Sequence, residues 1–345
     1  SPRRNNSKCL KSDEIDFSNS IRFYSDLSSQ DDQDFLIKPA SQALKNSSPG
    51  FWNLYDKNRA FINRLIKNDI SNIVKLKFLI EFHELVDFRV RAFYFHSEMN
   101  KQIDHTLDYI YGNDLYVNRQ NVLNDSFIKL QSLKRKDFMR DITIHFLGEN
   151  GIDCGGLTNE WFSLVIQELF NPNYNLFKQT KSNSSQPSIS SFLNGPQHIK
   201  YFNFAGKMIA LALVKEKFVN AHLTMSFYRQ ILHQRPKFKD LESYDENIYN
   251  SLKWILDNDI NTLEMTFTID VEEFGELKTI ELKENGENIL VTNDNKREYV
   301  SLYAQYNLQT SIKKQVDSFC SGFDEIIPPK YMKMFSPSEL DLLIC

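Results

Sequence analysis

Glycine and proline are scarce in this chain, 11 and 10 of 345 residues, against the roughly 7% and 5% of ordinary usage. Turn-dense sandwiches and barrels need more of both, so a helix-rich fold is expected. Cysteine is scarcer still. Cys9, Cys154, Cys320 and Cys345 make no CxxC pair, no Cys/His ligand spacing and no disulfide framework, which points to a reducing compartment, the cytoplasm or the nucleus. Long apolar runs are missing too: Met208–Val214 is far shorter than the roughly 20 residues that span a bilayer. The segment SPRRNNSKCLKSDEIDF is basic with no apolar stretch behind it, so neither a secretory signal nor membrane insertion is expected. No charge of one sign dominates. Lys+Arg 41 against Asp+Glu 45 leaves −4, which gives no electrostatic reason to expect nucleic acid as a partner. GxSxG, P-loop, GxGxxG and HExxH motifs are all absent, and the seven histidines are scattered without partners at metal spacing. Neither a cofactor nor a metal is expected on that basis.

What is present is the composition of a soluble globular protein, 41% apolar and 25% charged, at a length that favours more than one hydrophobic core. Residues 1–50 are rich in Ser, Asn, Asp and Lys, with apolar residues too scattered to define a helix face; they read as a polar tail or linker. From Phe51 to Tyr111, Phe61, Leu65, Ile66, Ile73, Leu76, Leu79 and Ile80 recur at helical spacing and predict two or three helices. Ile142, Ile144 and Phe146 alternate with Thr143 and His145, the period of a half-buried strand. After a turn containing Gly155 and Gly156, Thr158 can cap a helix that Asn171-Pro172 stops. Lys178–Gln197 reads as a loop, and Tyr201–Val214 as a buried helix in which Gly206 lets another helix approach. Residues 224–232 and 246–257 are further helices by period. Met265/Phe267/Ile269, Thr279–Leu282 and Ile289–Val291 form a small group of strands, with Asn285-Gly286 as turn chemistry. Residues 296–326 return to helix, and Ser336, Pro337 and Glu339 carry the signature of a last helix start. The fold class is α+β, mainly helical.

Six pieces in one order say more: ITIHFLGENGIDCGGLTNEWF (142–162), HIKYFNFAGKMIALAL, YNSLKWILDND with LEMTF, FGELKTIELKENGENILVTNDNKREYV, QVDSFCSGFDEIIP and FSPSELDLLIC. Together they resemble the HECT family of ubiquitin ligases over about residues 120–345, closest to its WW-containing and giant branches. DFRVRAFYF (87–95) is similar to the segment that the giant branch carries before its catalytic domain. The resemblance implies an N-lobe at 120–345 behind a helical extension at 51–119. The lobe divides into a larger helical part, 120–229 with 300–345, and a smaller mixed part, 230–299, that binds the ubiquitin-conjugating enzyme (E2).

In that family an E2 carries ubiquitin to a C-lobe cysteine in a Thr-Cys setting, from which it passes to a substrate lysine. The implied partners are therefore E2, ubiquitin and a protein substrate. No Thr-Cys pair occurs in this sequence, so the thioester-forming cysteine is expected beyond Cys345 and the chain alone is expected to perform no transfer. By position, the resemblance assigns the E2 groove to Ile248, Ser251, Leu252, Leu256, Leu263, Met265 and Tyr299. The spacing of Ile248, Leu252, Ile255 and Leu256 equally fits any buried helix face. Asn258 stands where some relatives place an aromatic, and Gln179 stands near the tyrosine with which several relatives bind a second ubiquitin. That exosite is not expected here. Asp153, Gly155 and Gly156 read as a structural turn, with glycine freedom for tight strand-to-helix entry and a carboxylate accepting local N–H groups. Two rivals remain at this point: a non-catalytic E2-binding scaffold that keeps the N-lobe fold, and an unrelated helical scaffold that binds peptides around Lys178–Gln197.

Overall fold

A computed structural model of the chain describes residues 60, 63–64, 86–103, 113–131, 133–149, 153, 155–273 and 276–345. The expected polar tail and most of the expected helical extension lie outside the described residues. Two compact units divide the chain after Tyr94. In the first, the Asp87 backbone N–H donates to Asn63 Oδ1 at 3.2 Å and Arg91 Nε donates to the Val86 carbonyl at 2.8 Å. These bonds secure the start of α1 (Phe88–Asn100), whose last turns belong to the second unit.

The second unit continues with β1 (Asn113–Val117), α2 (Val122–Leu130), the short α3 (Arg135–Phe138) and β2 (Ile142–Phe146). In β2 the expected alternation is realised, with Ile142, Ile144 and Phe146 buried. β1 pairs with it in parallel, Leu115 opposite Ile144 and Val117 opposite Phe146. A parallel pair needs a crossover, and α2 supplies it, burying Val122, Leu123 and Phe127. Residues ahead of 120 thus complete this first sheet. Among the described residues there are three two-stranded sheets.

There follow α4 (Gly156–Leu169), β3 (Phe177–Gln179), β4 (Ser185–Pro187), α5 (His198–Val214) and α6 (Met225–Ile231). Two expectations change here. Thr158 is not the cap of α4: the cap is Gly155, three residues earlier, which takes the left-handed conformation, φ 96°. Thr158 Oγ1 instead donates to the Ile142 carbonyl at 3.0 Å. Lys178–Gln197 is not a plain loop either, since it holds the antiparallel β3–β4 pair and a 3-10 helix at Ile189–Asn194. Its polar residues enter the interior because they find partners there. Gln186 accepts at Oε1 from Thr224 Oγ1 (3.2 Å) and Ser226 Oγ (3.3 Å) and donates from Nε2 to the Asn307 carbonyl (3.3 Å).

The remaining elements are α7 (Leu241–Tyr244), α8 (Glu246–Asp257), β5 (Thr268–Glu273), β6 (Glu276–Glu281), α9 (Lys296–Leu308), α10 (Lys313–Ile326), α11 (Pro329–Met332) and α12 (Pro337–Ile344). α5 is buried nearly all round, as its composition predicts, and α10 lies against it. The approach is close enough that a Cβ at Gly206 would meet the Phe319 carbonyl oxygen at 2.0 Å, and one at Gly322 would meet that of Asn203 at 2.0 Å. Phe202, Phe319 and Phe323 are fully buried next to this approach, Phe202 and Phe319 both edge-on to Phe177, while Phe204 on the far face of α5 stands edge-on to Phe127. α12 starts with the predicted capping box: Ser336 Oγ accepts from the Glu339 N–H at 3.3 Å, and Glu339 Oε2 accepts from the Ser336 N–H at 2.8 Å.

Candidate functional site

α8 begins where Asp245 caps it, Oδ1 accepting from the N–H groups of Asn247 at 2.9 Å and Ile248 at 3.2 Å. Its inner face places Leu252 and Ile255 in a small core of their own, with Leu241, Ile260, Phe267, Val291, Tyr299 and Val300. Ile248, Leu256 and Met265 pack against that core while staying half-buried. Ser251, one turn from both Ile248 and Ile255, is exposed at the border of that face. Asn258 ends α8, its side-chain amide donating back to the Trp254 carbonyl at 2.9 Å.

The segment after α8 is held by side chains. Asn293 Nδ2 donates to Asp259 Oδ1 at 2.7 Å, and Asn293 Oδ1 accepts from the Ile260 N–H at 3.3 Å. Hydrogen bonds from the Asn261 N–H and the Asn293 amide hold the Asp259 carboxyl below its ordinary value. Leu263 then emerges 38% exposed. Beyond it, the Val291 N–H donates to the Met265 carbonyl at 2.8 Å and the Phe267 N–H to that of Gly286 at 3.0 Å. Asn285-Gly286 makes this pairing possible in two ways. Asn285 adopts φ 57°, and Gly286 brings the backbone so near that a Cβ there would sit 2.5 Å from the Phe267 carbonyl oxygen.

The structure separates the groove residues named from sequence into two groups. Ile248, Leu256, Met265, Ser251 and Leu263 reach the surface at least in part, whereas Leu252 (3%) and Tyr299 (6%) are core. Tyr299 stands edge-on to Phe267, centroids 5.6 Å apart at 88°. Burial, with Tyr303 and Asp270 adding to it, pushes its hydroxyl up to about 12. Sequence reasoning passed over two exposed apolar side chains of this region, Leu290 (59% exposed), bridged to Thr266, and Trp254 (50% exposed), on the face of α8 turned away from the small core. Trp254 was findable: it falls off the Ile248/Leu252/Ile255/Leu256 stripe, so a helix burying that stripe turns the indole outward.

At the start of α4 the Asp153 carboxylate occupies the turn. Oδ1 accepts from the N–H groups of Gly155 (2.8 Å) and Thr158 (3.3 Å), and Oδ2 from the Ile144 N–H (3.0 Å) and the Thr158 hydroxyl. Burial by itself raises this carboxyl, but the hydrogen bonds from Thr158, Ile144 and Gly155 outweigh it and leave the group below its ordinary value. With these donors already taken by an internal carboxylate, the turn is built to join β2 to α4. Near Gln179 there is a separate open cleft of about 860 Å³, lined by Ile166, Phe170, Phe177, Gln179, Phe218 and His222 among others.

Against known proteins, the HECT-domain (ubiquitin-transferase) family model matches residues 163–345. The E3 ubiquitin-protein ligase HUWE1 of Mus musculus is 34% identical over 322 residues, 90% of this chain and 7% of the relative. The E3 ubiquitin-protein ligase pub1 of Schizosaccharomyces pombe is 42% identical over 231 residues, 66% of this chain and 30% of the relative. RSP5 of Emericella nidulans, also named an E3 ubiquitin-protein ligase, is 36% identical over 260 residues, 75% of this chain and 31% of the relative. The chain belongs to the HECT-domain family, and it spans from under a tenth to about a third of the length of these relatives. No helix among the described residues is long and apolar enough to cross a membrane.

Proposed function

We propose that residues 120–345 are the N-lobe of a HECT-type ubiquitin ligase and that this chain recruits the ubiquitin-charged E2, with 230–299 as the docking part and 120–229 plus 300–345 as its support. The observation that carries this reading is the open apolar edge of the small core. Leu263 and Leu290, which flank half-buried Met265 along the backbone, are exposed, and Ile248 and Leu256 stay half-buried against the same core. Such an edge suits a transient partner, offering a few apolar anchors and a contact weak enough to release a spent E2. Leu252 and Tyr299 shape the edge from beneath, while Ser251 borders it without a side chain large enough to obstruct docking.

In the reaction proposed for the whole enzyme, a cysteine thiolate attacks the carbonyl of the E2–ubiquitin thioester. The E2 thiol leaves, and a substrate lysine amine then displaces the cysteine. The described thiols of this chain are poorly suited to that role. Burial, followed by the charges of Asp324 and Asp317, pushes Cys320 up to about 12. Burial, followed by Asp341, does the same to Cys345, also to about 12. Cys9 and Cys154 lie outside the described residues, and neither follows a threonine. In the proposed reading the transferring cysteine lies beyond Cys345, and this chain holds the E2 without accepting ubiquitin.

The test uses an E2 joined to ubiquitin by a stable linkage, titrated into the full chain by calorimetry. Leu263→Asp buries a charge on docking and should weaken binding at least about tenfold, roughly 1.4 kcal/mol, while circular dichroism stays unchanged because Leu263 is already exposed. Leu252→Asp should instead disrupt the small core. Unaltered affinity in Leu263→Asp, or a reducible thioester between this chain and ubiquitin, would overturn the reading.

A further inference from the structure

We propose that His222, Asp341 and Cys345 form a zinc site at the end of α12. Their ligand atoms, one imidazole nitrogen, one carboxylate oxygen and the thiol sulfur, all lie within 4.8 Å of one another. The site cannot be seen as a spaced motif, since 119 residues separate His222 from Asp341. The fold alone brings them together. Asp341 and Cys345 are one helical turn apart, on one face of α12 and its cap. His222 comes from the segment leading into α6.

Both sides of the site are fixed by backbone bonds. The Ser185 N–H donates to the His222 carbonyl at 2.7 Å, and the Val219 N–H to that of Ile344 at 3.1 Å. His222 Nδ1 is 3.0 Å from Asp341 Oδ1. The Tyr228 hydroxyl donates to the same carboxylate oxygen at 2.5 Å and lies 4.0 Å from Cys345 Sγ. Such a carboxylate-orienting partner is what metal ligands usually have.

The chemistry of the set selects the metal. Nitrogen, thiolate sulfur and carboxylate oxygen are the three donor types zinc takes, and bonds of roughly 2.0–2.3 Å put tetrahedral ligand atoms roughly 3.3–3.8 Å apart. The observed spacings bracket that range, so side-chain movement of about 1 Å closes the site. His222 is exposed while Asp341 and Cys345 are half-buried. Solvent therefore reaches one side, which gives the ion a path in and a water as fourth ligand. Binding converts the thiol to a thiolate and releases one proton to solvent. Once formed, the site ties the end of α12 to the 219–223 segment.

The experiment titrates the full reduced chain with Zn²⁺ and with Co²⁺. Expected are one ion per chain, a thiolate-to-cobalt charge-transfer band and release of one proton at neutral pH. His222→Ala, at an exposed position, should keep the fold yet weaken zinc binding by more than the roughly 10–100-fold that outer-shell changes cost. Cys345→Ser should abolish the charge-transfer band. The proposal is overturned by a chain that binds no stoichiometric zinc, by a cobalt complex without the band, or by unchanged affinity in both variants, which would assign the metal to other groups.

Discussion

Gly206→Ala tests the central seam of the fold with one methyl group. The new Cβ would sit 2.0 Å from the Phe319 carbonyl oxygen and 2.9 Å from both the Phe319 carbonyl carbon and the Phe323 nitrogen, where ordinary contact starts at 3.4 Å. The deficit against the oxygen is 3.4 − 2.0 = 1.4 Å. Every atom in the way is backbone of α10, so no side chain can rotate aside. The two helices must separate, which loosens the packing of Phe202 and Phe319 around Phe177. Overpacking a core costs typically about 1–3 kcal/mol, occasionally more. A backbone-on-backbone clash belongs at the upper end, while alanine returns about 1 kcal/mol of helix propensity. A net loss of about 2 kcal/mol is expected. At a urea slope of about 3 kcal/mol per molar, this lowers the midpoint by about 0.7 M. Urea unfolding followed by circular dichroism measures it, with Gly156→Ala as control, since a Cβ there meets nothing within 4 Å. A Gly206→Ala midpoint equal to or above that of the parent chain would refute the close-packing argument.

Other outcomes can be read on the same chain. Folding holds Asp153 below its ordinary 3.8, so its contribution is complete above about pH 5 and is lost as pH falls through the folded value. Acid titration of stability should therefore flatten below pH 4 in Asp153→Asn, and an unchanged acid limb would contradict the turn. Thr224 is fully buried; Thr224→Ala removes the α6 cap and leaves Gln186 short of a donor, so a loss of about 2 kcal/mol is expected in urea. Cys320 should resist alkylation at pH 8 in the folded chain, because its thiol is buried and pushed up to about 12. Rapid labelling there would remove the argument that it is inert.

Much of the fold is legible in residue order because local physics and tertiary context agree. The β2 alternation, the all-round apolar α5 and the Ser336/Glu339 capping box each name their own environment. Where they disagree, the sequence misleads. The serines and Gln186 of Lys178–Gln197 look like a loop, yet polar groups can be buried once partners such as Thr224 and Asn307 are supplied from far along the chain. Gly155 shifts a helix start because a left-handed residue is invisible to an apolar period. For the candidate docking edge, the stripe on α8 was legible. Which of its residues stay open was not: Leu252 and Tyr299 are closed over by Phe267 and Val291, contacts set by the Asn285-Gly286 turn.

By itself, the sequence determined the mainly helical α+β class, the HECT resemblance and the lack of a Thr-Cys pair. These depend on composition, period and colinear order, which need no coordinates. Only the tertiary structure decided how closely α5 and α10 approach, which apolar residues of the 230–299 region face solvent, and that His222 meets Asp341 and Cys345. Each is a contact between segments distant in the chain, and no local rule fixes the distance between residues that only folding brings together.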